Sequence, residues 1–218
     1  LVLGLGIPDG LFRKKAGRAN LTAFFGLFRI RGFRAAAFGY FGHMWELYAF
    51  WAFVPVICRD YMRLHPETRF GLSLWSFCII GIGSLACICS GFASLRFGAG
   101  RTARLALWVS GLCCLLLPGI LQQASLPVFL GFMLLWGFFV IADSPMFSTL
   151  VARNAPQEYR GTGLTIVNSA GFAITVVSIQ ILNLWNASGM GPSGYRLLAL
   201  GPALGLLGLG WKRLGARS

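Results

Sequence analysis

Apolar residues in this 218-residue chain come in long runs separated by short polar stretches. Six runs stand out, at 33–57, 71–95, 103–121, 126–150, 161–184 and 195–211. Each has about 17–25 residues, the length that carries a helix across a hydrocarbon core of about 30 Å. The segments of about 10 residues with strict alternation that mark a membrane β-barrel are not visible. The pattern predicts an all-α membrane protein, with a six-transmembrane-helix bundle over 33–211. Residues 1–10 are apolar, close on the turn signal Pro8-Asp9-Gly10 and lack the basic start of a signal peptide. They read as the end of a preceding transmembrane helix, and the chain as the C-terminal part of something longer. Residues 11–32 read as a basic cytoplasmic loop and 212–218 as a cytoplasmic tail.

Composition agrees with lipid as the solvent: 56% of residues are hydrophobic and 11% charged, against about 25% charged in a soluble domain. The net charge of +13 is topological. Threading six spans from the cytoplasm leaves only Arg59, Arg63, Arg69 and Arg196 of the 19 Lys and Arg on the far side. This bias puts both ends in the cytoplasm of a plasma membrane, read here as a bacterial inner membrane. No basic, aromatic-interleaved soluble domain is present to suggest a nucleic-acid partner. Residues 11–32 are mildly amphipathic. They read either as a linker or as an arm in the bilayer interface, with Phe24, Phe25, Leu27 and Phe28 dipping into lipid. The longest connection expected between spans is 59–70. Five of the six cysteines lie within spans and Cys58 at a span end, as small packing residues rather than a disulfide or metal set. Gly201-x-x-x-Gly205 permits a close helix contact, and Pro118, Pro145 and Pro202 are candidate kinks.

Against this apolar background, ionisable groups inside spans are costly and mark function by default. In the first span Gly39, His43, Glu46 and Phe50 share one helical stripe. His43 and Glu46 are spaced to exchange a hydrogen bond near mid-membrane, either as a site that binds and releases a proton or as a static tie between helices. Asp143 lies in the fourth span on a stripe with Trp136, Val140 and Phe147, where Ser144-Pro145 loosens the helix. It either pairs with an arginine of a cytoplasmic loop or lines a cavity. The fifth span carries Thr165, Asn168, Ser169, Thr175, Gln180 and Asn183 within about 140° on a helical wheel, as cavity lining or as interhelical contacts. No nucleophile–base set for an enzyme is legible, and no cofactor or metal is expected.

Two further segments carry a resemblance. Gly91-Phe-Ala-Ser-Leu-Arg96-Phe-Gly98-Ala-Gly-Arg101 resembles the Gly-x-x-x-Asp-Arg-x-Gly-Arg loop of the major facilitator superfamily, with Leu95 at the Asp position and Ala99 at the following basic one. Pro156-Gln-Glu-Tyr-Arg160-Gly161 resembles that family's Pro-x-x-x-Arg-Gly segment. The resemblance implies helices seven to twelve of a twelve-helix fold, whose partner is a missing N-terminal six-helix half. It implies a secondary transporter that moves a small solute by alternating access, commonly coupled to H⁺. His43, Glu46 and Asp143 are then the transport or proton-site candidates. Gly39, Trp136, Thr165, Asn168 and Ser169 are cavity-lining candidates, and Gly91, Arg96, Gly98, Arg101, Arg160 and Gly161 form the cytoplasmic gating motif. The alternative is an autonomous six-span channel or a half-transporter that dimerises.

Overall fold

A computed structural model describes residues 22–210 of the chain. The expected helix end at 1–10, the first part of the basic arm and the tail at 212–218 lie outside the described residues. Every regular element among the described residues is helical: α1 (Thr22–Arg29), α2 (Arg31–Leu64), α3 (Leu72–Phe97), α4 (Ala99–Gln123), α5 (Leu126–Ala142), α6 (Ser144–Asn154), α7 (Arg160–Ala187) and α8 (Leu200–Gly210). Short 3₁₀ segments at Gln157–Tyr159 and Pro192–Ala199 precede α7 and α8.

The protein is an all-α membrane protein. Among the described residues four segments are long and apolar enough to cross a bilayer: Leu72–Phe97, Ala99–Gln123, Leu126–Asn154 and Gln157–Ala187. The first and last of the six apolar runs do not stand beside these four. α2 is long enough, at 34 residues or about 51 Å, but Arg34, His43, Glu46 and many small residues dilute its hydropathy. It tolerates them because it is the central helix, packed against α8, α7, α6 and α3. The last run divides into the 3₁₀ segment and the 11-residue α8.

Several boundaries differ from the sequence reading. α2 continues through Arg59 and Asp60 to Leu64, so the expected 59–70 loop contracts to 65–71. The Asp60–Arg63 pair at 3.6 Å, one turn apart, and the His65 N–H donating to the Tyr61 carbonyl support the added turns. Between α3 and α4 the expected loop contracts to Gly98 alone, at φ +85° and ψ 143°, a conformation that side chains resist. Pro55, inside α2, joins Pro118 as a proline within a helix. In α1, Leu27 does not dip into lipid: it is buried beside Phe33 and Gly163. Phe28 meets Phe33 edge-on at 5.4 Å, and Phe25 is exposed.

The Gly201-x-x-x-Gly205 contact is formed. A Cβ on Gly42 of α2 would collide with the Gly201 carbonyl oxygen and the Gly205 backbone, and one on Gly201 with the Gly42 carbonyl. Absent side chains let the two backbones approach, the usual means of packing membrane helices. Among the described residues two large apolar clusters fill the interior, beside a small one of Ala86, Ala106 and Ala142. Of the large ones, one holds Phe50, Leu117, Met133 and Trp136; the other holds Tyr40, Leu107, Phe147 and Val167.

Candidate transport site

The intramembrane polar groups lie at the junction of these clusters. His43 and Glu46 follow Tyr40 and precede Phe50 on α2, Ser110 lies between Leu107 and Cys113 on α4, and Asp143 lies between Val140 and Met146. His43, Glu46, Asp143 and Ser110 are each 1% exposed.

Asp143 occupies a break. α5 ends at Ala142 and α6 begins at Ser144, with Pro145 in its first turn. Proline has no N–H to continue the α5 ladder. The chain turns there, and the Asp143 carbonyl accepts from the N–H groups of Met146 and Phe147, both at 3.0 Å. The Asp143 side chain reaches α2: Oδ1 lies 2.8 Å from His43 Nδ1. The approach is within ion-pair distance, and Oδ1 has no further hydrogen-bond partner. His43 Nε2 is likewise buried without one, and the imidazole sits among Tyr40 and Phe147, at ring separations of 6.1 and 5.7 Å.

Glu46 has a different set of neighbours. Its Oε1 accepts from Trp136 Nε1 at 2.7 Å and Cys114 Sγ at 3.2 Å, and its Oε2 accepts from Ser110 Oγ at 2.9 Å. The carboxyl thus ties α2 to α4 and α5.

The expected hydrogen bond between His43 and Glu46 is not formed. Side chains three apart on a helix diverge by about 60°; on a central helix that divergence aims them at different neighbours. The expected pairing of Asp143 with a loop arginine is replaced by the contact with His43. Gly39 and Trp136 are buried rather than facing open space: a Cβ on Gly39 would collide with the Phe147 ring, and Trp136 packs on Phe50 at 4.5 Å.

The polar stripe of α7 divides. Thr175 is buried and donates toward the Met44 and Gly171 carbonyls at 3.2 and 3.1 Å. Thr165, Asn168, Ser169, Gln180 and Asn183 are exposed. They face away from the buried residues of that helix, among them Val167, Gly171 and Ser178.

Ser110 and Cys114 escaped the sequence reading. Their one-turn spacing on α4 was the available signal, but nothing local says which helix they meet. An apolar cavity of about 390 Å³ opens between α2, α7 and α8, lined by Phe38, Trp45, Ile174, Val177 and Leu204 among others. None of the polar candidates lines it. Among the described residues no group of three or more His, Cys, Asp or Glu is placed to hold a metal.

A family model described as Major Facilitator Superfamily matches residues 7–179. The chain belongs to the major facilitator superfamily. It is a multi-pass membrane protein of a transporter family, and the match spans α1 to α6 and most of α7. No curated protein and no solved structure matches it. Of the residues expected from the sequence to form a gating motif in this superfamily member, Gly91 and Arg96 lie on α3, Gly98 is the break, and Arg101 opens α4. Arg160 and Gly161 open α7. Arg96, Gly98, Arg101, Arg160 and Gly161 are exposed, Arg96 lying over the Phe97 ring at 5.5 Å.

Proposed function

We propose that the protein supplies one six-helix half of a secondary transporter that moves a small solute by alternating access, with H⁺ as the coupling ion. The observation that carries this reading is the buried His43–Asp143 pair at the α5–α6 break. A carboxylate and an imidazole in contact form a site for a mobile proton. Adding a proton to the pair changes its net charge and its attraction across the joint between α2 and α6. The charge state is thereby linked to the angle at the break, which is what coupling requires. Glu46, held by three donors, serves as the fixed anchor beside this element.

The uncovered polar face of α7 supports a solute path shared with a second six-helix half, because exposed amides in a spanning helix face protein or water rather than lipid. On this reading the N-terminal ends of α2, α4 and α7, the C-terminal end of α3 and both termini are cytoplasmic, in a bacterial inner membrane.

The test uses proteoliposomes with a trapped pH dye, containing the chain together with its partner half and screened with a panel of solutes. A solute gradient should acidify or alkalinise the lumen. Asp143→Asn should abolish that signal while preserving counterflow of labelled solute. Wild-type proton movement in both Asp143→Asn and His43→Gln would remove the pair from coupling. Transport by the 218-residue chain alone would favour a dimerising half-transporter.

A further inference from the structure

The exposed face of α7 and the three buried ionisable groups occupy different places, and their separation constrains the solute. The inference below rests on the reading of that face as the solute path.

Thr165, Asn168, Ser169, Gln180 and Asn183 fall within about 120° on a helical wheel, and all are exposed. Phe172, half exposed, shares the face. Its ring lies 5.5 Å from that of Tyr48 on α2, which in turn meets Trp51 at 5.1 Å. The face therefore offers carboxamides and hydroxyls, which both donate and accept, toward its two ends, with the exposed apolar side chains of Phe172 and Val176 between them. It offers no charge. The acidic and imidazole groups within the spanning segments, His43, Glu46 and Asp143, are each 1% exposed and turned into the helix bundle. The arginines of the described helices stand in their first or last two turns. A charged solute brought to mid-membrane needs a counter-charge at the point where it is desolvated, and this half presents none there.

We propose that the solute bound on the α7 face is an uncharged, multiply hydrogen-bonding molecule of the polyol type, with a C–H face that lies against Phe172 and Tyr48. Asn168 and Gln180 are its principal amide contacts. They lie twelve residues apart, about 18 Å along the helix, so a small solute engages them in succession as it advances.

Saturation-transfer NMR on the purified chain in lipid nanodiscs tests this. The probes are myo-inositol and glucose, set against glucosamine and glucuronate, which keep the size and add one charge of either sign. The neutral probes should bind in preference to both charged ones. Asn168→Leu and Gln180→Leu should each weaken neutral binding by roughly 2–10-fold, the equivalent of one lost hydrogen bond. Asn168→Asp keeps the shape and adds a carboxylate; it should bring in glucosamine and leave glucuronate excluded. The proposal is overturned if neither neutral probe binds, if a charged probe binds the wild-type chain as tightly, or if Asn168→Asp leaves the preference unchanged. Binding of a charged probe would leave the transport reading standing, because the proton-flux assay decides that separately.

Discussion

Glu46 is the residue at which an anchor and a proton carrier predict opposite results. Its carboxyl accepts from Trp136, Cys114 and Ser110. Glu46→Ala removes all of these acceptors. Ser110 retains a second acceptor in the Leu107 carbonyl at 3.3 Å, and a thiol is a weak donor. Trp136, fully buried, loses its partner, and an orphaned buried donor costs about 1–3 kcal/mol. Adding the cavity left by the shorter side chain, and offsetting the cost of having buried the carboxyl, gives a net loss of about 2–4 kcal/mol. Glu46→Gln behaves differently. Its amide oxygen can take the Oε1 place and keep Trp136 and Cys114. Its amino group then faces Ser110, whose hydroxyl turns to donate to Leu107 and accept from the new amide. The loss should stay within about 1 kcal/mol.

Thermal unfolding followed by fluorescence-detected size exclusion reads this. Glu46→Ala should lower Tm by about 5–15 °C and Glu46→Gln by no more than about 4 °C, at roughly 2–4 °C per kcal/mol for a chain of this size. Solute-driven proton movement should survive in the Gln variant. If Glu46→Gln keeps the wild-type Tm but abolishes that movement, Glu46 carries the proton and the anchor reasoning is wrong. If Gln destabilises as much as Ala, the hydrogen-bond exchange at Ser110 does not occur.

His43→Ala strands the Asp143 carboxylate in the interior, a change that costs about 3–5 kcal/mol for a broken buried pair; adding Asp143→Ala should recover part of it, which a double-mutant cycle of Tm values would show. Gly42→Val drives a side chain into the Gly201 carbonyl and the Gly205 backbone; overpacking of about 1–3 kcal/mol or more should lower folded yield, while Gly81→Val, with nothing near its Cβ, should not. Gly98→Ala should cost about 1–3 kcal/mol through its glycine-only backbone conformation, with no steric contribution because the space beside it is open. A reporter inserted at Glu67 should behave as exported and one after Arg101 as cytoplasmic; the reverse pattern would overturn the orientation.

The helical class and most of the spanning segments are legible because a bilayer imposes one requirement, a long apolar run, that sequence displays directly. The break at Asp143 is signalled by Ser144-Pro145, since proline acts through its own backbone. The Gly201–Gly205 contact is legible as a pattern, but its partner Gly42 is not, because small residues say that something approaches and not what. The same gap hides Ser110 and Cys114. Spacing on α2 places His43 and Glu46 on adjoining strips of one helix, and the choice of partner depends on which helices surround it. Leu27 and the 59–70 segment differ for a related reason: docking against Phe33 and Gly163, and extension of α2 where Tyr195 donates to Asp60 and Tyr61 donates to the Ala124 carbonyl, are tertiary outcomes that local polarity does not encode.

The glycine seam between α2 and α8 joins the first long helix of the described chain to its last. During synthesis α2 leaves the ribosome about 160 residues before Gly201 and Gly205 do, which is on the order of ten to thirty seconds at ordinary elongation rates. Throughout that interval its most extensive neighbour does not exist, and the strip around Gly42 waits uncovered in the membrane. Assembly of this helix bundle is therefore sealed from its far end. Nascent chains interrupted before residue 201 should be recognised as unfinished through α2, far from the point where they stopped.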